Sequence, residues 1–600
     1  MTFVRSHSSA TEAHASRTGG ANRARRGIAV AAAVALGLGA ALTGATAAQA
    51  HGADQGGGSG GGGYGSGGYG WQGGGSGNGS RPWSGGAGWG VDDRTLTPRT
   101  RFTMKPDGSS GTTQGGEGIP NIDVVKKTIA TYYGDPGTGI ANKTDSPYIR
   151  EMDALTAAET AKLKPAYDAA IAAGQKPAIV FDSDDTTLMT YDMEVGDMKF
   201  VFTPAEQDVW VQAQRFPATP GMLAYVNAAH DLGFTIFGVT GRNDDQKSAT
   251  IGNLDKLGYE GFTAENFFTK WTGVGASQQP SYISCAIAKC TTVEFKAGTR
   301  KHIEQDLGYT ITLNIGDQFS DLQGGYAERT LKLPNPTYYL PSANLPGVSE
   351  PNLAPRSTFT MAADGSSGAT QGGEGIPNID SVKSTIYAYY GDPGTGIANK
   401  ADSPYIREMR SIVSKQIPRV AAACYLGSKL HKNPAIVLDA DDTTLWTYDM
   451  EVADMKFVFD PAKQDVWVQE QRFPATPSMQ SLVSIAKKAG CTIVGLTGRN
   501  DDQKDATIAN LAKVGYSGFT AANYYTKWTG VGASQQPSYI RCAAAKCTTV
   551  EYKSQTRAHV QSRDGGKYTI VANFGDQFSD LLGGSSLSAV KLPNPTYYLP

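Results

Sequence analysis

The stretch "AIVFDSDDTTL", residues 178–188, sends an apolar run into three carboxylates within four positions, Asp182, Asp184 and Asp185, with Thr186 and Thr187 directly after. An aspartate after a strand ordinarily caps a helix or shapes a turn. Three carboxylates converging on one spot are another matter, because their repulsion is costly unless a cation balances it. Hard divalent cations such as Mg²⁺ take oxygen ligands of this kind. The same arrangement returns 257 residues later as "AIVLDADDTTL", residues 435–445, with Asp439, Asp441 and Thr443 in the matching places.

Three apolar runs must position such a cluster. "PAIVF" (177–181), "FTIFGVT" (234–240) and "YTITLNI" (309–315) read as strands. The second follows the helical stretch "PGMLAYVNAAHDLG", and the third follows "KAGTRKHIEQDLG". Fully apolar strands alternating with helices predict an α/β fold, a Rossmann-like parallel sheet covered on both faces. Ligands of such sheets bind at the carboxyl ends of the strands. There stand Asp182, Asp184 and Thr186; then Thr240, Gly241 and Arg242; then Gly316, Asp317 and Asp321. Lys296 is expected to open the helix before the third strand.

The whole unit is duplicated. "YYGDPGTGIANKTDSPYIREM" (132–152) returns nearly unchanged at 389–409, and "KLPNPTYYLP" closes both copies, at 332–341 and 591–600. The second copy repeats the strand-end set as Thr497, Gly498 and Arg499, Lys553, and Gly575, Asp576 and Asp580. A period this long is no solenoid repeat. It predicts two tandem domains, 98–341 and 356–600, joined by a linker, 342–355.

The order D-x-D-x-T, T at a strand end, K, then G-D-x-x-x-D resembles the haloacid dehalogenase (HAD) superfamily. The flanking "VTGR", "EFKAGTR" and "IGDQFSDL" are similar to its secreted acid phosphatase branch, which includes plant vegetative storage proteins. The resemblance implies a Mg²⁺-dependent phosphatase acting on phosphate monoesters. Asp182 and Asp439 would be the nucleophiles that form an aspartyl-phosphate, and Asp184 and Asp441 the proton shuttles. Thr240 and Lys296, with Thr497 and Lys553, would bind phosphoryl oxygens. Mg²⁺ would be held by Asp182, Asp317 and the backbone carbonyl of Asp184, and in the second copy by Asp439, Asp576 and the carbonyl of Asp441. Asp321 and Asp580 would support the metal from behind its ligands. Arg242 and Arg499 would contact substrate. Asp185 keeps its turn role. Alternatives on the same fold are a phosphotransferase, in which an alcohol replaces water, and a storage or binding protein without turnover; one active and one idle copy is a mixed case.

Other phosphatase chemistries lack their residues. Only seven histidines occur, and there is no "RHG", no C-x5-R and no "GNH". His302 and its twin His559 read as helix-face residues, and Arg300 as an ordinary surface charge or ion-pair partner. The gaps of about 53 residues between Thr186 and Thr240 and about 55 between Thr240 and Lys296 are too short for a large cap domain. Phe200, Phe202, Trp210 and Phe216 either line the entrance or belong to the core.

The N-terminus is a targeting segment. Arg23, Arg25 and Arg26 precede an apolar run ending in Ala48-Gln49-Ala50, a small-x-small cleavage pattern. A signal peptide over 1–50, cleaved after Ala50, predicts a secreted protein without a membrane anchor. Residues 51–97 read as a disordered Gly-rich linker, whose interleaved Tyr and Trp suit weak cell-wall association. Removing residues 1–50 leaves 49 basic and 55 acidic side chains, so no nucleic-acid scaffold is expected as a partner. Six cysteines in an exported chain read as disulfides: Cys285 with Cys290, Cys542 with Cys547, and Cys424 with Cys491.

Overall fold

The computed structural model describes residues 101–103, 119–273, 278–287, 289–341, 343–351, 353, 358–360, 376–530, 535–544, 546–562 and 564–599. The expected signal peptide (1–50), the expected Gly-rich linker (51–97) and part of the 342–355 stretch lie outside the described residues.

Each copy builds one parallel five-stranded sheet. In the first, β2 (Pro177–Phe181) is central, flanked by β3 (Thr235–Thr240) and β4 (Phe267–Thr269) on one side and β5 (Thr310–Gly316) and β6 (Thr330–Lys332) on the other. The second repeats this with β8 (Pro434–Leu438), β9 (Thr492–Leu496), β10 (Tyr524–Tyr525), β11 (Thr569–Gly575) and β12 (Ala589–Lys591). The chain runs outward from β2 to β4, then returns across the sheet to β5. Strand order therefore reverses between β2 and β5, and a crevice opens at their carboxyl ends.

Helices α2 (Pro147–Ala172) and α4 (Met222–Leu232) cover one face, and α6 (Thr292–Gln305) the other. The alternation of strand side chains decides which residue goes where. Ile179 and Phe181 join the larger core, while Ala178 and Val180 pack with Phe295 and Ile303 of α6. The same phase carries Asp182 to the α6 side. Helix α3 (Pro204–Gln212) and a turn of π-helix, Asp192–Asp197, complete the segment between β2 and β3, and among the described residues there is no large cap domain. No described helix is long and apolar enough to cross a membrane.

The two copies interlock. Helix α1 (Ile122–Tyr132) reaches the end of the second copy, where the Ile122 amide donates to Pro595 O at 2.9 Å. Its counterpart α8 (Ile379–Tyr390) reaches the end of the first, through the Ile379 amide and Pro336 O at 2.9 Å. Strands β1 (Arg101–Thr103) and β7 (Thr358–Thr360) pair antiparallel, with Phe102 opposite its own equivalent, Phe359. That register is the signature of a two-fold relation between equivalent surfaces. One apolar core runs through residues of both copies.

All six cysteines are bridged in the expected pairs. The Cys424–Cys491 bridge ties α9 (Pro404–Lys429) to the start of β9, where the first copy instead packs Tyr167 edge-on to Phe234 at 5.3 Å. The bridge spans 67 residues, which chain entropy rates at about 4 kcal/mol before any strain. Cys424→Ser/Cys491→Ser is expected to lower the calorimetric melting temperature by roughly 5–10 °C. The pair Cys285→Ser/Cys290→Ser, whose bridge spans 5 residues, should cost less. Equal losses would contradict a loop-length origin.

Candidate active site

The turn after β2 is locked from within. The Asp182 amide continues the ladder to Ile315 O, and the amides of Thr187 and Leu188 fold back on Ser183 O. Asp185 takes a positive φ of 49° and is buried, and its carboxylate accepts from the Thr190 amide at 3.0 Å and from the Thr190 hydroxyl. Burial pushes its pKa up to about 7. Asp185 thus serves the turn, whereas Asp182 and Asp184 pair with cationic side chains, Lys296 and Arg242.

Lys296 is the hub. It is 3% exposed and donates to Asp182 Oδ1 at 2.5 Å and to Asp321 Oδ1 at 2.7 Å. Burial alone would lower its pKa, but the two carboxylates hold it above the ordinary lysine value. The expectation that Lys296 opens its helix is corrected. A capping box between Thr291 and Glu294 starts α6 at Thr292 and puts Lys296 beyond the first turn. Gly316 is required where β5 ends, because a Cβ there would meet Asp321 at 2.4 Å.

Asp317 accepts from Asn335 Nδ2 and from Gln318 Nε2, each at 2.7 Å, and Thr186 Oγ1 stands 3.5 Å away. Carboxylate oxygens of Asp182, Asp317 and Asp321 all lie within 4.8 Å of one another, as do those of Asp439, Asp576 and Asp580. One lysine ammonium thus faces three carboxylates. Burial, then Asp321, pushes the Asp317 pKa up to about 7. Burial also raises Asp182, against the pull of Lys296 and with that of Asp321. An all-oxygen donor set with surplus negative charge fits a divalent cation.

Asp184 lies to one side and is 19% exposed, bound by Arg242 through Nη2 at 2.5 Å and Nε at 3.2 Å. Arg242 is itself buried, donates to Thr250 Oγ1 at 2.9 Å and lies over the Phe216 ring at 4.8 Å. Its guanidinium is engaged with Asp184. Thr240, fully buried at the end of β3, accepts from the Arg242 amide at 3.3 Å. The second copy reproduces the set: Lys553 to Asp439 at 2.8 Å and to Asp580 at 2.5 Å, Arg499 to Asp441 at 2.6 Å, Asn594 to Asp576 at 2.9 Å, and Thr497 buried.

Several participants have no motif to announce them. Asn335 and Gln318 hold Asp317; the repeat "KLPNPTYYLP" contains Asn335, but reads only as the end of a unit. Arg300 is not a surface charge. It is fully buried and donates to the carbonyls of Asp321, Gln323 and Gly325, clamping the turn behind the site. His302 stacks flat on Tyr282 at 4.0 Å, a helix-face role. Phe200, Trp210 and Phe216 are core, whereas Phe202 is 55% exposed. Phe200 and Phe202 share a cavity of about 310 Å³ with Glu194, Tyr338 and, from the second copy, Lys383.

The family model of the HAD superfamily, subfamily IIIB (acid phosphatase) matches residues 141–341 and again 400–600, and the chain belongs to this family. It is 36% identical over 169 residues to the stem 28 kDa glycoprotein of Glycine max, covering 28% of this chain and 61% of that one. It is 30% identical over 178 residues to acid phosphatase 1 of Solanum lycopersicum, covering 28% and 63%. Vegetative storage protein 1 of Arabidopsis thaliana is 30% identical over 166 residues, covering 27% and 55%. The chain therefore spans less than two thirds of the length of each of these relatives.

The carboxylate cluster makes stability depend on pH. Asp317 and Asp185 stand near 7 and Asp576 near 6 when folded, against about 3.9 unfolded. The folded chain therefore holds more protons than the unfolded chain between those values, and stability falls as pH rises through that window. With chelator present, the melting temperature should drop from pH 5 to pH 7.5. Added Mg²⁺ should restore more at pH 7.5 than at pH 5. A chelated melting temperature that rises across this range would contradict the charge balance described here.

Proposed function

We propose that this protein is a secreted, Mg²⁺-dependent acid phosphatase that hydrolyses phosphate monoesters through an aspartyl-phosphate, with one complete site in each tandem domain, 98–341 and 356–600. The observation that carries the reading is the Lys296–Asp182–Asp321 cluster beside Asp317, built twice with matching contacts. Membership of an acid phosphatase subfamily and similarity to a named acid phosphatase support it.

Asp182, Asp317 and the carbonyl of Asp184 would hold Mg²⁺, which when bound offsets the negative charge that otherwise keeps a phosphate from a carboxylate. Asp182 attacks phosphorus, and the bond from phosphorus to the ester oxygen breaks. Asp184 gives its proton to that oxygen. Water then attacks the phosphorus of the aspartyl-phosphate and passes its proton to Asp184, which frees inorganic phosphate and restores Asp182. Lys296 and Thr240 hold the phosphoryl oxygens as charge builds on them. Arg242, bonded twice to Asp184, sets the direction of the proton shuttle. With a short segment between β2 and β3 and no large cap among the described residues, the crevice suits varied leaving groups.

Asp182→Asn and Asp439→Asn should each remove one site's share of activity toward a generic phosphomonoester. The double variant should lose at least about 10³-fold, on the scale set by removing a nucleophile. Full activity in the double variant would sink the mechanism. A folded chain that binds Mg²⁺ without turnover would favour the storage reading suggested by the vegetative storage relatives, and phosphoryl transfer to added glycerol would favour the transferase. Arg242→Ala, in an Asp439→Asn background, should lower kcat by about 10- to 100-fold with little change in KM. A rise in KM alone would instead make Arg242 a substrate contact.

A further inference from the structure

We infer that each active site is braced by the other copy, with Asn378 a positioning residue for the site of Asp182, and Asn121 one for the site of Asp439. The inference rests on the reading of Asp317 and Asp576 as metal ligands and goes beyond it.

The C-terminal segment of the first copy, residues 335–340, is held on two sides. On its inner side Asn335 donates to Asp317 Oδ2 at 2.7 Å and to Asp185 Oδ2 at 3.3 Å. Gln318 reaches from Asp317 to the same segment, accepting from the Leu340 amide at 2.9 Å and donating to Tyr338 O at 3.4 Å. On the outer side the contacts come from the second copy. Asn378, the N-cap of α8, donates from Nδ2 to Asn335 O at 2.9 Å and to Tyr338 O at 2.5 Å. Asp380 accepts from the Tyr339 amide at 3.1 Å. Asn335 and Asn378 are both buried. One amide side chain of the second copy thus satisfies the carbonyl of the very residue whose side chain orients a proposed metal ligand in the first. Leaving that carbonyl without a donor costs about 1–3 kcal/mol, and groups that orient ligands typically carry 10- to 100-fold in metal affinity or activity.

The reverse contact has the same form. Asn121 donates to Asn594 O at 3.0 Å and to Tyr597 O at 2.6 Å, and Asn594 donates to Asp576 Oδ2 at 2.9 Å. The exchange is reciprocal, so the duplication does more than double the number of sites: each copy braces the site of the other.

The test uses the full chain and a substitution that separates capping from bracing. In Asn378→Asp the carboxylate still caps the Asp380 amide, as Asn378 Oδ1 does at 3.0 Å, but it cannot donate to the two carbonyls. In an Asp439→Asn background, where only the first site turns over, Asn378→Asp and Asn378→Ala should each lower kcat about 10- to 100-fold. In an Asp182→Asn background the same substitutions should leave the second site within about two-fold, although Asn378 belongs to the second copy's sequence. Calorimetric titration of the otherwise unaltered chain with Mg²⁺ should show one of two sites weakened by a similar factor. Asn121→Asp should give the mirror result. Loss in the second site instead, equal loss in both, or no loss with Asn378→Asp would each overturn the inference. Failure of the mechanism itself reads differently, as retained activity in Asp182→Asn/Asp439→Asn without any change at Asn378.

Discussion

The contact on which the site depends is the ammonium of Lys296 set between Asp182 and Asp321. It joins the second turn of α6 to the end of β2, 114 residues earlier, and to the short helix α7 (Phe319–Leu322), where Asp321 stands 25 residues later. Each is aimed by its own local rule. The pleat sends Asp182 to the α6 face, the capping box fixes where α6 begins, and the missing side chain at Gly316 lets Asp321 close in. Arg300 then ties the carbonyl of Asp321 and the turn that follows. Holding acidic groups together in this way destabilises the fold until a cation balances them. One lysine leaves negative charge uncompensated, and that surplus is what a divalent cation would balance.

The second constraint is the two-fold relation between the copies. Equivalent residues meet at Phe102 and Phe359, and equivalent helices α1 and α8 cross to opposite ends. The copies also differ in places. Tyr167 and Phe234 in one are a disulfide in the other, because both solutions tie a long helix to the start of a strand. At the site itself the contacts are kept, down to the bond between the asparagine of "LPNPT" and the first aspartate of G-D-x-x-x-D, Asp317 or Asp576.

Much of this was legible in the sequence, for physical reasons. Buried parallel strands are apolar throughout, so β2, β3 and β5 stand out, and the strand ends carry the chemistry in plain residue types. The edge strands β4 and β6 are three residues long and have no period to detect. Arg242 is a visible strand-end charge, but nothing local says that its guanidinium pairs with Asp184. Arg300 reads as solvated because three backbone carbonyls, its actual partners, leave no trace in sequence. Asn335 and Asn378 lie in repeated stretches, yet repetition alone does not say that each pairs with the other copy.

The central claim is that Asp182 and Asp439 attack phosphorus, each held ready by its lysine. It is tested most directly by acid-quenching the Mg²⁺-loaded chain during turnover of a phosphomonoester and locating the covalent phosphoryl group by peptide mass spectrometry. The account predicts adducts on the peptides carrying Asp182 and Asp439, each lost in the corresponding Asp→Asn variant. A phosphoryl group on any other residue, or turnover with no adduct at either aspartate in single-turnover sampling, would contradict it.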